Sequence, residues 1–231
     1  RHLARGARMV PFAGWEMPLQ YSGIVDEHLR TRQAVAVFDT SHMDAFRVRG
    51  PAALDFLSRM VTADLRAMAD GRCRYGFLLR DDGGVLDDLI AYRLAADDWM
   101  LVVNAGPAAA DFLWLRRHLP DDGQVLLEDL RESQGKLDVQ GPAALETAMR
   151  LLETGLDDLR RFAFRRLARQ GRGIIVSRTG YTARTAAKST PPSTCFPRCG
   201  TACWNWAPPP PASARATPCA SRPACRFTAT S

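Results

Sequence analysis

The most constraining feature of this 231-residue chain is that every acidic residue lies before position 183. The segment 183–231 contains six basic residues and no acidic one, with nine of the 15 prolines and five of the six cysteines. A segment with unbalanced charge, abundant proline and little apolar patterning cannot bury enough surface to offset its conformational entropy. The sequence therefore predicts a globular region over 1–182 and a disordered tail over 183–231.

The net charge of +6 gives little information about partners, because it arises in the tail. In 1–182 the 25 acidic residues are balanced by an equal number of basic ones. The first twenty residues lack the pattern of a secretory signal, and no apolar run approaches the roughly 18 residues of a membrane span. We expect a cytoplasmic protein with neither nucleic acid nor a membrane as partner.

The pattern of apolar residues in 1–182 is typical of an α+β fold. Helical spacing predicts helices at Ile24–Ala34, Pro51–Ala63, Ala108–His118 and Pro142–Leu152. Runs of β-branched and aromatic residues predict strands at Val35–Phe38, Phe46–Val48, Tyr75–Leu79, Val85–Tyr92, Trp99–Val103, Lys136–Val139 and Ile174–Ser177. Three of these strands are expected to form an antiparallel meander, and Pro11–Tyr21 is expected to be a loop. Helices and strands without regular βαβ spacing favour α+β over a doubly wound sheet.

The pair Asp87-Asp88 is the first candidate for chemistry. It follows Gly83-Gly84, so it is open to interpretation as turn solvation or as an acid–base group. Successive strand residues point to opposite faces, so only one of the two can face a given cavity. His42 is expected to make a local hydrogen bond, and Cys73 is expected to be a small buried or half-buried residue without metal partners.

Several segments resemble the glycine-cleavage T-proteins, the tetrahydrofolate-dependent aminomethyltransferases. The opening Gly6–Pro18 (GARMVPFAGWEMP) and Phe38–Met43 (FDTSHM) are the most specific. The other segments follow in family order: Gly83–Ile90, Val102–Ala105, Gln140–Pro142 and Ser177–Thr182. The resemblance covers essentially all of 1–182. Sequences of this family are about twice this long, so we expect a fragment at both ends.

The resemblance implies a three-domain fold around a folate cavity, of which 1–182 is the amino-terminal part. It implies transfer of a one-carbon unit from the aminomethyl-lipoyl arm of H-protein to tetrahydrofolate, with release of ammonia. It assigns catalysis to Asp88 and folate contacts to Met43, Tyr75, Ile90, Val102, Asn104 and Tyr181. Taken singly, Met43, Ile90 and Val102 are ordinary core residues. Related folate modules of sarcosine and dimethylglycine dehydrogenases, or of iron–sulfur assembly, are the alternative.

The tail begins inside a family motif. Its cysteines at 195, 199, 203, 219 and 225 are compatible with a metal site, and its basic, proline-rich composition with nucleic-acid binding. A one-base frame change explains more: with GC-rich codons, Ala183–Lys188 becomes Gly-Glu-Asp-Gly-Gly-Glu, the family continuation. The same offset converts Ala214–Ser231 into a later family motif. We therefore expect the reading frame to change after Thr182 and the chain to be inactive.

Overall fold

The computed structural model describes residues 1–131, 133–169 and 171–182, together with the backbone of 201–206. Its fold is α+β, as predicted. The helices are α1 (Ile24–Gln33), α2 (Ala53–Met60), α3 (Ala108–Arg117) and α4 (Ala144–Leu152). The strands are β1 (Arg8–Phe12), β2 (Trp15–Gln20), β3 (Ala36–Asp39), β4 (Asp44–Arg49), β5 (Cys73–Leu79), β6 (Val85–Ala95), β7 (Asp98–Val103), β8 (Leu126–Asp129), β9 (Gln134–Gln140), β10 (Phe164–Arg169), β11 (Arg172–Ser177) and β12 (Thr201–Trp206).

The first large sheet is antiparallel, with strand order β5-β6-β7-β4-β8. The predicted meander is its β5-β6-β7 portion. One face of the sheet packs on α2 and α3 through Leu57, Leu115 and the fully buried Trp99. The apolar stripe that predicted α2 is therefore the stripe that covers the sheet.

The second large sheet has strand order β10-β11-β12-β9-β3. Its β12 pairs with β9 and β11, so these six residues form a strand within the segment for which the sequence predicts disorder. The rest of 183–231 lies outside the described residues. Phe164 and Ile175 of this sheet pack against Tyr92 and Met100 of the first sheet. The first sheet thus has helices on one face and the second sheet on the other.

The predicted loop at Pro11–Tyr21 is wrong, because the segment belongs to a β-hairpin. Strands β1 and β2 pair across Ala13 and Gly14, which both have positive φ (49° and 81°). Two consecutive residues of positive φ match the twist of a tight hairpin. Pro11 and Pro18 suggested a loop, but a proline is tolerated in a strand whose N–H side is unpaired, as in a two-stranded ribbon.

Strands β8 and β10 have no counterpart in the predicted elements. β8 is a short edge strand beside β4, and three of the six residues of β10 are arginines (FRRLAR). Within the described ranges, no helix is long and apolar enough to cross a membrane.

Candidate functional site

The candidate site lies on the face of the first sheet that points away from α2 and α3. Tyr75 on β5 pairs with Ile90 on β6, and Ile90 pairs with Val102 on β7. Residues directly opposite one another in adjacent strands project to the same face. Ile90 and Val102 belong to the apolar cluster between the two sheets, so this row faces the second sheet.

Asp87 and Asp88 project to opposite faces of β6, as strand alternation predicts. Asp88 stands two residues before Ile90 and shares its face, opposite Phe77. Asp87 lies on the same face as Leu89, which is buried against the helices. The Asp87 residue itself is only 7% exposed. Of the two carboxylates, only Asp88 can therefore reach a ligand beside Tyr75.

Asn104, just after β7, joins the two aspartates. Its Nδ2 donates to Asp88 Oδ1 and to Asp87 Oδ1, each at 2.8 Å. Its backbone N–H donates to Asp87 Oδ2 at 2.9 Å. The amide cannot rotate without losing both side-chain bonds, so Asn104 holds the Asp88 carboxylate at a fixed position at the edge of the apolar row.

Tyr75 is 47% exposed, and its ring meets the edge of the Phe77 ring at a centroid distance of 5.3 Å. The pKa of Tyr75 is raised by burial and by its hydrogen bond to Asp88. The tyrosine therefore keeps its proton and presents a flat, exposed aromatic face beside a carboxylate. A cleft of about 590 Å³ opens on its far side, lined also by Met68, Arg72 and Phe162.

Met43 and Tyr181, the two remaining predicted folate contacts, are linked by a buried ion pair. Lys136 Nζ donates to Asp138 Oδ2 at 2.7 Å and lies 3.5 Å from Met43 Sδ. The side chains of Lys136 and Asp138 are 8% and 2% exposed. The phenol of Tyr181 contacts Asp138, and burial followed by the Asp138 charge raises the pKa of Tyr181.

The sequence interpretation missed Lys136 and Asp138, because it treated Lys136–Val139 only as a strand. Their spacing of two did contain a signal, since it places both charges on one strand face with Gln140. Burial lowers the pKa of Lys136, and the Asp138 carboxylate opposes that shift. Apolar surroundings and an opposite charge at 2.7 Å explain why the two side chains stay together.

His42 and Cys73 are the other two residues that the sequence analysis considered. The His42 ring meets Phe12 edge-on at 5.8 Å, and burial followed by the Lys136 charge lowers its pKa. Its Nδ1 has no hydrogen-bond partner among the described residues, so the expected local bond is not made by that atom. Cys73 is buried, as predicted, and burial raises the pKa of its thiol to about 12.

Metal binding has no support in the part of the chain that the structure describes, where no group of three or more potential His, Cys, Asp or Glu ligands is close enough to hold an ion. The side chains of the tail cysteines lie outside the described residues. What the described site offers is an exposed aromatic ring, the partly exposed Ile90 backed by the buried Val102, one carboxylate and one amide. Such a surface suits a flat heteroaromatic molecule with polar edges.

Comparison with known proteins identifies the family. The sequence model of the GCVT N-terminal domain matches residues 1–186. The aminomethyltransferase of Chloroherpeton thalassium is 42% identical over 181 residues, which cover 78% of this chain and 50% of that protein. The aminomethyltransferase of Thermotoga maritima is 38% identical over 182 residues, which cover 79% of this chain and 50% of that protein.

The fold agrees with this relationship. The crystal structure of glycine cleavage system aminomethyltransferase T from Bartonella henselae matches with a TM-score of 0.72 and 33% identity, over 88% of this chain and 51% of that one. The chain thus spans about half the length of the relatives it matches. With a family match over 1–186 and this shared fold, the chain belongs to the GCVT family of aminomethyltransferases.

Proposed function

We propose that the complete protein is the aminomethyltransferase of the glycine cleavage system and that this chain forms the amino-terminal half of its folate site. The substrates are the aminomethyl-lipoyl arm of H-protein and tetrahydrofolate. The observation that carries the proposal is the Asp88 carboxylate, held by Asn104 at 2.8 Å beside the row Tyr75, Ile90 and Val102. Relatives that bear the name aminomethyltransferase support it.

The reaction requires controlled proton transfer. The C–S and C–N bonds of the aminomethyl group break, and two C–N bonds form to N5 and N10 of tetrahydrofolate. The two protons that N5 and N10 lose end on ammonia and on the lipoyl thiol. A fixed carboxylate in a partly apolar site can accept one of these protons and return it. Asp88 is placed for this task because Asn104 holds it without neutralising its charge.

The apolar row supplies the surface on which a pterin ring binds. The exposed ring of Tyr75 stacks on the pterin and the partly exposed Ile90 contacts it, while Val102, only 2% exposed, supports Ile90 from the neighbouring strand. The cleft beside Tyr75 leaves room for the remainder of the folate, and Arg72 in its lining can attract the carboxylates of the glutamyl end. Met43 packs against the apolar cluster that contains Val102, and Lys136 and Asp138 join Met43 to Tyr181.

We propose further that this chain alone is inactive. It spans about half of its relatives, so walls that they contribute to the site are missing. A frame change after Thr182 accounts for the acid-free tail, and the matched region ends close to that residue, at 186. The nucleotide sequence tests this directly: a gene that does not encode the family motif in the neighbouring frame contradicts it.

The role of Asp88 is tested by Asp88→Asn in the gene product with its reading frame restored. We expect turnover with aminomethylated H-protein to fall by about 100-fold or more, as is typical for loss of a general acid–base group. Tetrahydrofolate affinity should change by less than about tenfold, because the apolar row is intact.

The matched control is Asp82→Asn, in the exposed turn before β6. Asp87→Asn is less suitable, because Asp87 is hydrogen-bonded to the same Asn104 that holds Asp88. Asp82→Asn should leave both parameters unchanged. Unchanged turnover in Asp88→Asn would remove Asp88 from the mechanism. Stoichiometric, tight tetrahydrofolate binding by the 231-residue chain would contradict the proposal that its site is incomplete.

A further inference from the structure

A second carboxyl group lies behind the candidate site and takes no part in the proposed reaction. Asp111 stands in the first turn of α3, where its N–H donates to Pro107 O at 3.0 Å. Its side chain points into the sheet and is 1% exposed. There it contacts Asp87 on β6, which is 7% exposed, so two carboxyl groups face each other in the helix–sheet interface.

Two buried carboxylates in contact cannot both stay ionised, because repulsion adds to the cost of desolvation. Asp87 accepts two hydrogen bonds from Asn104, so in the contact between Asp87 and Asp111 it is Asp87 that acts as the acceptor. Asp111 Oδ2 has no donor within hydrogen-bonding distance among the described residues. Burial, followed by the Asp87 charge, raises the pKa of Asp111 to about 8. Within the described residues, no cation offsets these effects.

We infer that Asp111 is a positioning residue: its protonated carboxyl donates to Asp87, and Asp87 in turn orients the Asn104 amide that holds Asp88. This series of hydrogen bonds runs from α3 through the first sheet to its opposite face. Each link between Asp87, Asn104 and Asp88 is 2.8 or 2.9 Å long. Rotation of Asp87 would release both the backbone and the side-chain donor of Asn104, and Asp88 would lose its Nδ2 bond.

This arrangement couples the site to pH. The folded-state pKa of Asp111 lies above its ordinary value of 3.8, so folding favours the protonated form. Its contribution to stability is fully present below the unfolded pKa and is lost as the pH rises through about 8. Above that pH, two buried negative charges repel each other and Asp87 moves. Only the catalytic role of Asp88 rests on the proposed function; the hydrogen bonds from Asp111 to Asp88 do not depend on it.

The test follows the side-chain amide resonance of Asn104 by NMR in the 231-residue chain, without folate, between pH 6 and 9. We expect the resonance to shift with a midpoint near 8 in the wild-type chain. In Asp111→Asn, an amide donates to Asp87 at every pH, so the resonance should stay near its low-pH position and the transition should be lost. In Asp111→Leu no donor remains, and the Asn104 amide should exchange with solvent faster at all pH values.

Asp55→Asn is the matched control, because Asp55 occupies the first turn of α2 but is paired at the surface with Arg66. It should reproduce the wild-type curve. A wild-type midpoint that survives in Asp111→Asn would overturn the inference, even if Asp111→Leu does not fold. Because the NMR measurement uses no substrate, the two proposals fail separately: a protein with its reading frame restored that shows no turnover would contradict the proposed function, while the expected titration would still support the role of Asp111.

Discussion

At the residue scale, the stability of the fold should depend strongly on the buried ion pair Lys136–Asp138. Replacing Asp138 with alanine leaves the Lys136 ammonium buried beside Thr40 Oγ1 (3.1 Å) and Met43 Sδ (3.5 Å) without its counter-charge. We expect the free energy of unfolding to fall by about 3–5 kcal/mol, the usual cost of removing one partner of a buried pair. Urea unfolding followed by tryptophan fluorescence measures the change.

The double replacement Lys136→Met with Asp138→Leu should recover much of that loss, because it removes both buried charges. Asp158→Ala is the matched control: Asp158 pairs with Arg165 at 2.6 Å but is 75% exposed, and its loss should not measurably change stability. If Asp138→Ala behaves like Asp158→Ala, the interior pair is hydrated and cannot hold Met43 and Tyr181 in place.

At the scale of elements, Gly141 fixes how α1 and β9 meet. It has φ +123°, and a Cβ there would lie 2.4 Å from the carbonyl oxygen of Ala34 and 2.6 Å from that of Thr31. We expect Gly141→Ala to cost more than the roughly 1–2 kcal/mol of a left-handed conformation alone, because two backbone carbonyls must also move. Urea unfolding again provides the measurement.

Gly123→Ala isolates the conformational part of that cost. Gly123 also has positive φ (+71°), but nothing lies within 4 Å of the position of its Cβ. Equal losses in the two variants would show that the contact between α1 and β9 gives way easily. A larger loss at Gly141 would explain why the segment Gln140–Pro142 requires glycine at its centre.

At the scale of the whole molecule, exposed apolar side chains concentrate in the first thirty residues. Val25 and Ile24 on α1 are 69% and 60% exposed, and Phe12 on β1 is 56% exposed. Apolar patches of this kind favour association. We expect the chain to self-associate, and Val25→Lys to shift it toward the monomer in sedimentation velocity at equal concentration.

Leu151→Lys is the control, since Leu151 on α4 is 58% exposed but lies outside this amino-terminal group. It should leave the sedimentation profile unchanged. Equal effects of the two lysines would mean that added charge alone, and not loss of the α1 surface, reduces association.

The sequence was most informative where a structure depends on the pattern of neighbouring residues. The run of β-branched and aromatic residues predicted the strand at Val85–Tyr92, and the alternation of side chains along any strand predicted the opposite directions of Asp87 and Asp88. Helical spacing predicted α2 and its packing on the sheet. The hairpin at Ala13-Gly14 was missed because its two prolines are typical of a loop, and β10 was missed because three of its six residues are arginines and no apolar pattern marks it as a strand.

The sequence by itself determined the family and the α+β class, and it is the basis of the proposed frame change after Thr182, because each depends on the order of residues along the chain. Only the tertiary structure decided that Lys136 meets Met43 and that Asp111 meets Asp87. Those contacts join residues far apart in the chain, and they depend on which strand faces lie against which helix. The chemistry proposed for Asp88 therefore rests on its motif, while the network that holds Asp88 in place follows from packing.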